Sequence, residues 1–549
     1  MGLGWGLMAL IPIDNVGETG IVKDINPWQL PPNVWSEGNN VRSEHGAIQK
    51  SPGYLEVMAT CPVAPYYITN LEAGTSSYWI VGGLTQIYVW AGSAPWVDIT
   101  RASGNYSATA SENWTSTVLG GILVMANGYD DPQFWALGAD GLPDTGTKMA
   151  DLTAWPASTE CFSLRAFRSF LIALNVTSSA VNKPNMVKWS TASATQALPA
   201  SWDATDATVD AGEYSLEDSK GKILDGLPLA DSFMIYKEDS TYMMTYVGTP
   251  FIFSFRQISP NVGALTKNCV AEFDGGHFVF GNGDMYINDG QKLTSLLPHK
   301  MRDHVFNNIS GDDYQKAFVV ADYGNTEMWA CYVSQSNTTN AQCDKALVWN
   351  WSNGTFTERD LPNLGFVGYG TEGNPLAPGS WNAATTDWNT DTLNWNQSAT
   401  TSFFNLAGKT LVMASPTNTK IFRNETGNTE DGSNMTSYIQ RTGLTIDEQG
   451  NPDQAMVKHI SSVWPKMTVN PDSASDTVNI YIGSQMSTEG SITWEGPYSF
   501  NPDSQTKVPV RVTGKYIGVK FESTIDTTWR LDGYALDIKN VGTRGSVSR

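Results

Sequence analysis

The chain has 549 residues, of which 16% are charged, with 55 acidic against 34 basic side chains and a formal net charge of −21. That balance argues against a protein that grips nucleic acid by its phosphates, since counterion displacement needs clustered Lys and Arg. It fits a surface past which DNA slides, and acidity also keeps a particle soluble.

The length exceeds what one core organises, so a large domain and at least one smaller one are expected. Aromatic residues at 11%, with 50 Gly and 27 Pro, describe short strands joined by many turns, an all-β composition. Five scattered cysteines, Cys61, Cys161, Cys269, Cys331 and Cys343, contain no Cys-x-x-Cys pair. Their odd number and spacing predict reduced, buried thiols and maturation in a reducing cytoplasm.

The apolar start, residues 1–13, has no basic n-region or small-residue cleavage site and is too short to span a bilayer. Neither a signal peptide nor a membrane anchor is expected. Met8 is as good a start as Met1, with residues 9–12 as a first edge strand.

Next comes Asn33-Val-Trp35-Ser-Glu-Gly38-Asn39-Asn40-Val41-Arg42, then Gly46-Ala-Ile-Gln-Lys50-Ser-Pro52-Gly53-Tyr54. Val41 and Ile48 are the apolar positions of two short strands folded on Glu44-His45-Gly46, and Gly46 and Gly53 supply freedom where the chain reverses. This stretch resembles the opening segment of tail hub, tail nozzle or packaged-DNA stabilisation proteins of short-tailed bacteriophages, in which Pro-x-x-Trp, Asn-Asn-Val, Gly and Lys-x-Pro-Gly-Tyr precede a β-propeller. The resemblance implies a structural virion protein without enzymatic activity, assembled in the host cytoplasm as a ring, a homo-hexamer by family likeness. Its partners would be the portal-side adaptor or head–tail connector and tail fibre or spike proteins. Double-stranded DNA would pass through the lumen without specific binding.

From about 54 to 423 one rhythm repeats without repeating its letters: a buried apolar strand, a Gly, Asn or Asp turn, and a second strand ending on an aromatic. Phe233–Tyr236 pairs with Thr241–Tyr246, His277–Phe280 with Asp284–Ile287, and residues 317–322 with Glu327–Tyr332. Six or seven such units, with no helical period between them, predict a β-propeller of about six blades. A stacked sandwich is the alternative.

Between 364 and 403 the rhythm breaks, and Trp381-Asn, Trp388-Asn and Trp395-Asn recur at an interval of seven. Thr, Asp and Asn between them are poor helix formers, so tandem turns are expected in place of a coiled-coil seam. A Trp-Asn heptad resembles an insert of the same phage proteins. It reads as a contact surface or as a buried aromatic cluster.

The last hundred or so residues read as a second β unit, with clean alternation in Val508–Val512 and Tyr534–Ile538. Gly514-Lys-Tyr-Ile-Gly, Trp529-Arg-Leu-x-Gly533-Tyr and a late Gly542-x-Arg544 resemble the closing sandwich-like domain of that family. The expected organisation is an N-terminal segment and hairpin (1–54), a propeller with the Trp-Asn insert (55–430), and a C-terminal β-sandwich-like domain (431–549). The family-motif positions are Trp35, Asn39, Asn40, Gly46, Pro52, Gly53, Trp381, Trp388, Trp395, Gly514, Trp529 and Gly533.

No catalytic, cofactor or metal motif stands out. The five histidines form no His-x-x-x-His pair, and neither a Gly-x-Ser-x-Gly elbow nor a phosphate loop occurs. Ser487-Thr-Glu489-Gly-Ser491-Ile-Thr-Trp494 approximates the Asp-box turn of sialidase-type propellers, with Glu489 for Asp and Ser491 for Gly. The alternative function is therefore a glycan-binding propeller or a sialidase-like glycosidase, which would need paired carboxylates at a barrel mouth.

Overall fold

Turn residues cut the apolar runs of residues 54–434 into strands of two to ten residues, and these fold into antiparallel sheets. The computed structural model describes residues 9–74, 76–92, 95–298, 300–371, 409–470 and 476–543. Six sheets are built from four consecutive strands each: blade 1 (67–98), blade 2 (115–151), blade 3 (159–215), blade 4 (223–259), blade 5 (270–295) and blade 6 (318–364). The seventh sheet joins Phe366–Thr371, Lys409–Ser415 and Lys420–Asn424 to Tyr54–Glu56, a strand from the other end of the chain. A short pair, Thr429–Glu430 and Ser433–Asn434, extends it.

The first strand of each blade is innermost. From Tyr67–Ala73 round to Phe366–Thr371, each of these strands lies against the next, and the last lies against the first. The described residues thus form a β-propeller with seven blades, the upper end of the six or seven units read from the sequence and one more than the six-bladed expectation. Blade 7 contains the Thr410–Met413 and Lys420–Phe422 unit of that rhythm, and takes its fourth strand, Tyr54–Glu56, from before blade 1.

The second unit is a sandwich. Its six-stranded sheet contains Val41–Glu44, Ala47–Lys50, Trp529–Thr543, Met456–Val469 and Val508–Gly514, with Ala9–Asp14 beside Trp529–Thr543. Its five-stranded sheet contains Glu37–Asn39, Ser437–Leu444, Tyr516–Ser523, Val478–Gln485 and Thr493–Phe500. Ile48, Ile460, Val463, Ile480, Ile482, Val519, Phe521, Leu531 and Leu536 are buried between the sheets. Each contributes about 1.5–3 kcal/mol by leaving water. The N-terminal segment, set apart in the sequence, completes both sandwich sheets before Tyr54–Glu56 crosses to blade 7.

All five cysteines are free and buried. Trp381, Trp388 and Trp395 lie outside the described residues, as do Met1 and Met8. Among the described residues, no helix is long and apolar enough to cross a membrane.

Candidate functional site

The family-motif residues within the described regions gather where the N-terminal segment meets the sandwich and the propeller. Trp35 is buried in the sandwich, its indole N–H donating to Val16 O at 2.7 Å and its ring set edge-on to Phe521 at 6.3 Å. Trp529 donates to Ser437 Oγ at 2.9 Å and ties the two sheets together. Gly46 (φ +76°) and His45 (φ +49°) form the left-handed hairpin turn between Val41–Glu44 and Ala47–Lys50. A Cβ on Gly533 would stand 2.8 Å from Ile13 O, where strand Ala9–Asp14 lies on its partner. At Gly514 it would stand 2.9 Å from Ser484 Cβ.

Asn40 sits in the left-handed region (φ +54°), which Asn tolerates better than most residues. Its N–H donates to Glu358 O at 2.9 Å, and its carbonyl accepts from Ser51 N at 3.0 Å. The side chain donates to Thr436 O at 2.8 Å and to Asp360 Oδ2 at 3.2 Å, and accepts from Asp360 N at 2.9 Å. Asn39 also donates to Asp360. Two adjacent amides thereby fix the outer strand of blade 6 to the segment leading into blade 7.

Pro52 O accepts from Arg359 Nη2 at 2.6 Å. At Gly53 the backbone of Thr429 passes so close that a Cβ would collide with it. Gly53 N–H donates to Gly427 O at 2.8 Å, and Gly53 O accepts from Thr426 N at 3.1 Å. Tyr54 then packs on Phe422, ring centroids 5.1 Å apart.

Arg42 lies at the centre of this seam, and sequence reasoning missed it. Its Nε donates to Glu327 Oε1 at 2.5 Å, and Nη2 donates to Glu327 Oε2 at 3.0 Å and to Glu425 Oε1 at 2.6 Å. Blades 6 and 7 are thus clamped to the sandwich by one buried guanidinium. Burial alone would lower the Arg42 pKa, but the two carboxylates override it and hold the group charged. Glu327 moves the other way. Its burial raises its pKa above the ordinary range, and Arg42 only partly offsets this because Glu425 and Asp322 crowd the same cation.

Beside it, Glu358 accepts from Lys23 Nζ at 2.5 Å and stands 2.6 Å from His304 Nε2. Burial would push Glu358 up, but His304 and Lys23 hold it below the usual carboxylate range.

A second buried cluster closes the propeller axis. Arg165 Nη2 and Nε donate to the two oxygens of Asp225 at 2.6 and 2.8 Å, Nη1 to Ser116 O at 3.0 Å, and Nη2 also to Asn268 Oδ1 at 2.9 Å. Asp225 further accepts from Ser163 Oγ at 2.7 Å and from Asn268 N at 3.0 Å. Blades 2 to 5 meet in this group. Tyr67, Phe366 and Phe318 close the remaining sector, with centroids 4.5 and 4.9 Å apart. Burial would raise Asp225, but Arg165 and the Ser163 and Asn268 hydrogen bonds hold it below its ordinary value.

A polar cleft of about 610 Å3 lies between the 45–46 turn and the blade 6 loops, lined in part by Glu18, Glu44, His45, Asn325, Asn350 and Asn353. Its amides are already engaged: Asn350 Oδ1 accepts from Ser352 N at 3.0 Å in a local turn, and Asn353 Nδ2 donates to Ser43 O at 3.2 Å across to the hairpin. Among the described residues, no group of three or more His, Cys, Asp or Glu is placed to hold a metal ion.

No family model matches the chain. No curated protein matches it either. Solved structures give distant likenesses. PorZ, a bacterial surface component of the type-IX secretion system of Porphyromonas gingivalis, is 10% identical with a TM-score of 0.33, over 74% of this chain and 44% of PorZ. The WD40 domain of Toxoplasma gondii coronin is 9% identical with a TM-score of 0.34, over 67% of this chain and 83% of that one. Kluyveromyces lactis Hsv2 is 9% identical with a TM-score of 0.28, over 48% and 68%. The chain spans less than half the length of PorZ. Likenesses this distant carry no weight for function, and the propeller assignment rests on the molecule's own closed ring of sheets.

Proposed function

We propose that this chain is a structural subunit of a short-tailed phage tail tube, hub or nozzle. It would extend and close the DNA channel below the portal and adaptor, retain the packaged genome and conduct it during ejection. The observation that carries this reading is that Asn39, Asn40, Pro52 and Gly53, residues behind the resemblance, join propeller to sandwich. Asn40, Gly53 and Gly533 each occupy a position that their residue type suits, and Trp35 and Trp529 anchor the sandwich.

With the propeller axis packed by Arg165, Asp225, Tyr67 and Phe366, a DNA lumen in this reading runs between copies of the chain and not through a single propeller. Few charged side chains to desolvate suit lateral packing into a closed ring.

A second reading, a glycan-binding propeller or sialidase-like glycosidase, is favoured by the polar cleft beside His45. Negative-stain imaging of the purified full chain, with glycan-array binding on the same sample, separates the two. Closed rings with an open lumen and no saturable glycan binding support the tail reading. A monomer of 59.8 kDa that binds or cleaves a glycan overturns it.

A further inference from the structure

The solvent face of the six-stranded sandwich sheet departs from the chain's acidic character. Along Val508–Gly514 the side chains alternate strictly, with Val508, Val510 and Val512 buried and Pro509, Arg511 and Thr513 exposed. Register carries this face onto the neighbouring strands: His459 lies opposite Thr513 and Lys539, with its Nδ1 2.9 Å from Thr513 Oγ1. The Lys507 ammonium stands 4.9 Å above the Trp464 ring. Arg511 and Lys539 are exposed and form no ion pair with a described residue. Leu10 and Pro12, on the adjoining strand, are exposed apolar neighbours. The acids on this face are engaged within it, Asp537 by Ser462 Oγ at 3.1 Å and Asp14 by Lys466 Nζ at 2.6 Å, which leaves an aromatic, apolar side chains and unpaired cations, the make-up of an interface core and rim.

The complementary charge lies across the propeller. The sandwich is fastened to blades 6 and 7 through Arg42 and Asn40, and blades 2 to 4 form the opposite side of the ring. Strand direction puts the loops after the first and third strands of each blade at one end of the propeller. On blades 2 to 4 those loops carry the exposed Asp140, Asp144, Asp203, Asp206 and Asp231. Two exposed cations lie among them, and both already face an acid: Lys148 stands 3.7 Å from Asp98 and Arg168 3.8 Å from Asp231.

We infer that the basic sheet face of one copy docks onto the acidic loop end of blades 2 to 4 of a second copy. The two patches are different surfaces of the subunit, on the sandwich and on blades 2 to 4, so the contact is head-to-tail, the type that closes rings when the rotation allows. This rests on the ring reading above and names the surfaces that would build it.

The test measures assembly of the full chain by mass photometry across a salt series, with circular dichroism melting as the control for folding. Three chains are compared with the wild type: Lys507→Glu/Arg511→Glu/Lys539→Glu, Asp203→Lys/Asp206→Lys/Asp231→Lys, and one carrying both sets. Each single set weakens assembly at least ten-fold, added salt weakens wild-type assembly, and the combined set restores it because complementarity is re-formed with the signs exchanged. The inference is overturned if wild-type rings form and either single set assembles normally, or if the combined set fails to recover. It is also overturned if the basic-face variant keeps its assembly but loses binding to a duplex DNA probe, which would assign the face to nucleic acid. A wild-type chain that stays monomeric at every concentration overturns the ring reading itself, and this inference with it.

Discussion

The axial cluster and the seam solve one problem, a buried guanidinium among carboxylates, with opposite results. At the axis one cation meets one carboxylate, and Ser163, Asn268 and Ser116 satisfy what is left, so Asp225 stays ionised more readily than in water. At the seam Arg42 is shared by Glu327 and Glu425 with Asp322 nearby, and Glu327 resists ionisation. The difference is stoichiometric. A matched pair locks blades within one domain, whereas an over-subscribed cation holds two domains under electrostatic load.

The pH signs follow. Asp225 has a folded pKa below its unfolded value of 3.8, so its contribution is present above that value and is lost as pH falls through the folded pKa. Glu327 has a folded pKa above 4.5, so its contribution is present below 4.5 and is lost as pH rises through the folded pKa. Rising pH loads the seam and leaves the axis alone.

Removing the shared cation gives the largest expected effect. Arg42→Met leaves Glu327 buried without its partner and costs about 3–5 kcal/mol, read as a drop in denaturant midpoint. Adding Glu327→Gln to that variant recovers part of the loss, since the uncompensated charge goes with it.

On the propeller side, His277 is fully buried, between Tyr236 OH at 2.8 Å and Pro228 O at 2.8 Å, and burial pulls its pKa down to about 4. Its folded pKa lies below the unfolded 6.5, so stability is complete above 6.5 and falls as pH drops towards 4, by about 3 kcal/mol in all. His277→Gln flattens that slope in urea titrations at pH 7, 5.5 and 4.

At the entry to blade 7, Gly53→Ala forces the chain away from Thr429 and costs about 2 kcal/mol, read as a lower melting temperature. The smallest effect is at the rim of blade 7. Lys409 pairs with Glu72 at 2.8 Å, but both are nearly half exposed, so Lys409→Ala changes stability by no more than about 0.5 kcal/mol.

How much of this was legible in the sequence depends on whether partners are neighbours in the chain. Hairpins such as Phe233–Tyr236 with Thr241–Tyr246 follow from alternation and a turn, and they pair as read. So does the hairpin folded on His45-Gly46, with Val41 and Ile48 buried. Its docking partners were not legible, because Asn40 finds Asp360, and Arg42 finds Glu327 and Glu425, across some three hundred residues. Arg42 next to a buried Val41 is the one local signal: a cation in a strand buried on both faces needs a buried acid. Arg165 and Asp225 left no local mark, since each alone reads as an ordinary charged strand residue. In blade 7 the hairpin of Thr410–Met413 and Lys420–Phe422 is legible, while its fourth strand, Tyr54–Glu56, lies more than three hundred residues away in the chain and is not.

Hydrogen exchange of the full chain at pH 5 and pH 8, expressed as protection factors so that intrinsic rates cancel, tests the contrast between the two clusters most directly. The prediction is that amides of residues 40–54 lose protection at the higher pH, while those of Thr159–Phe167 and Ile223–Leu229 keep theirs. Equal protection of both regions at both pH values, or earlier opening of the axial strands, would contradict it.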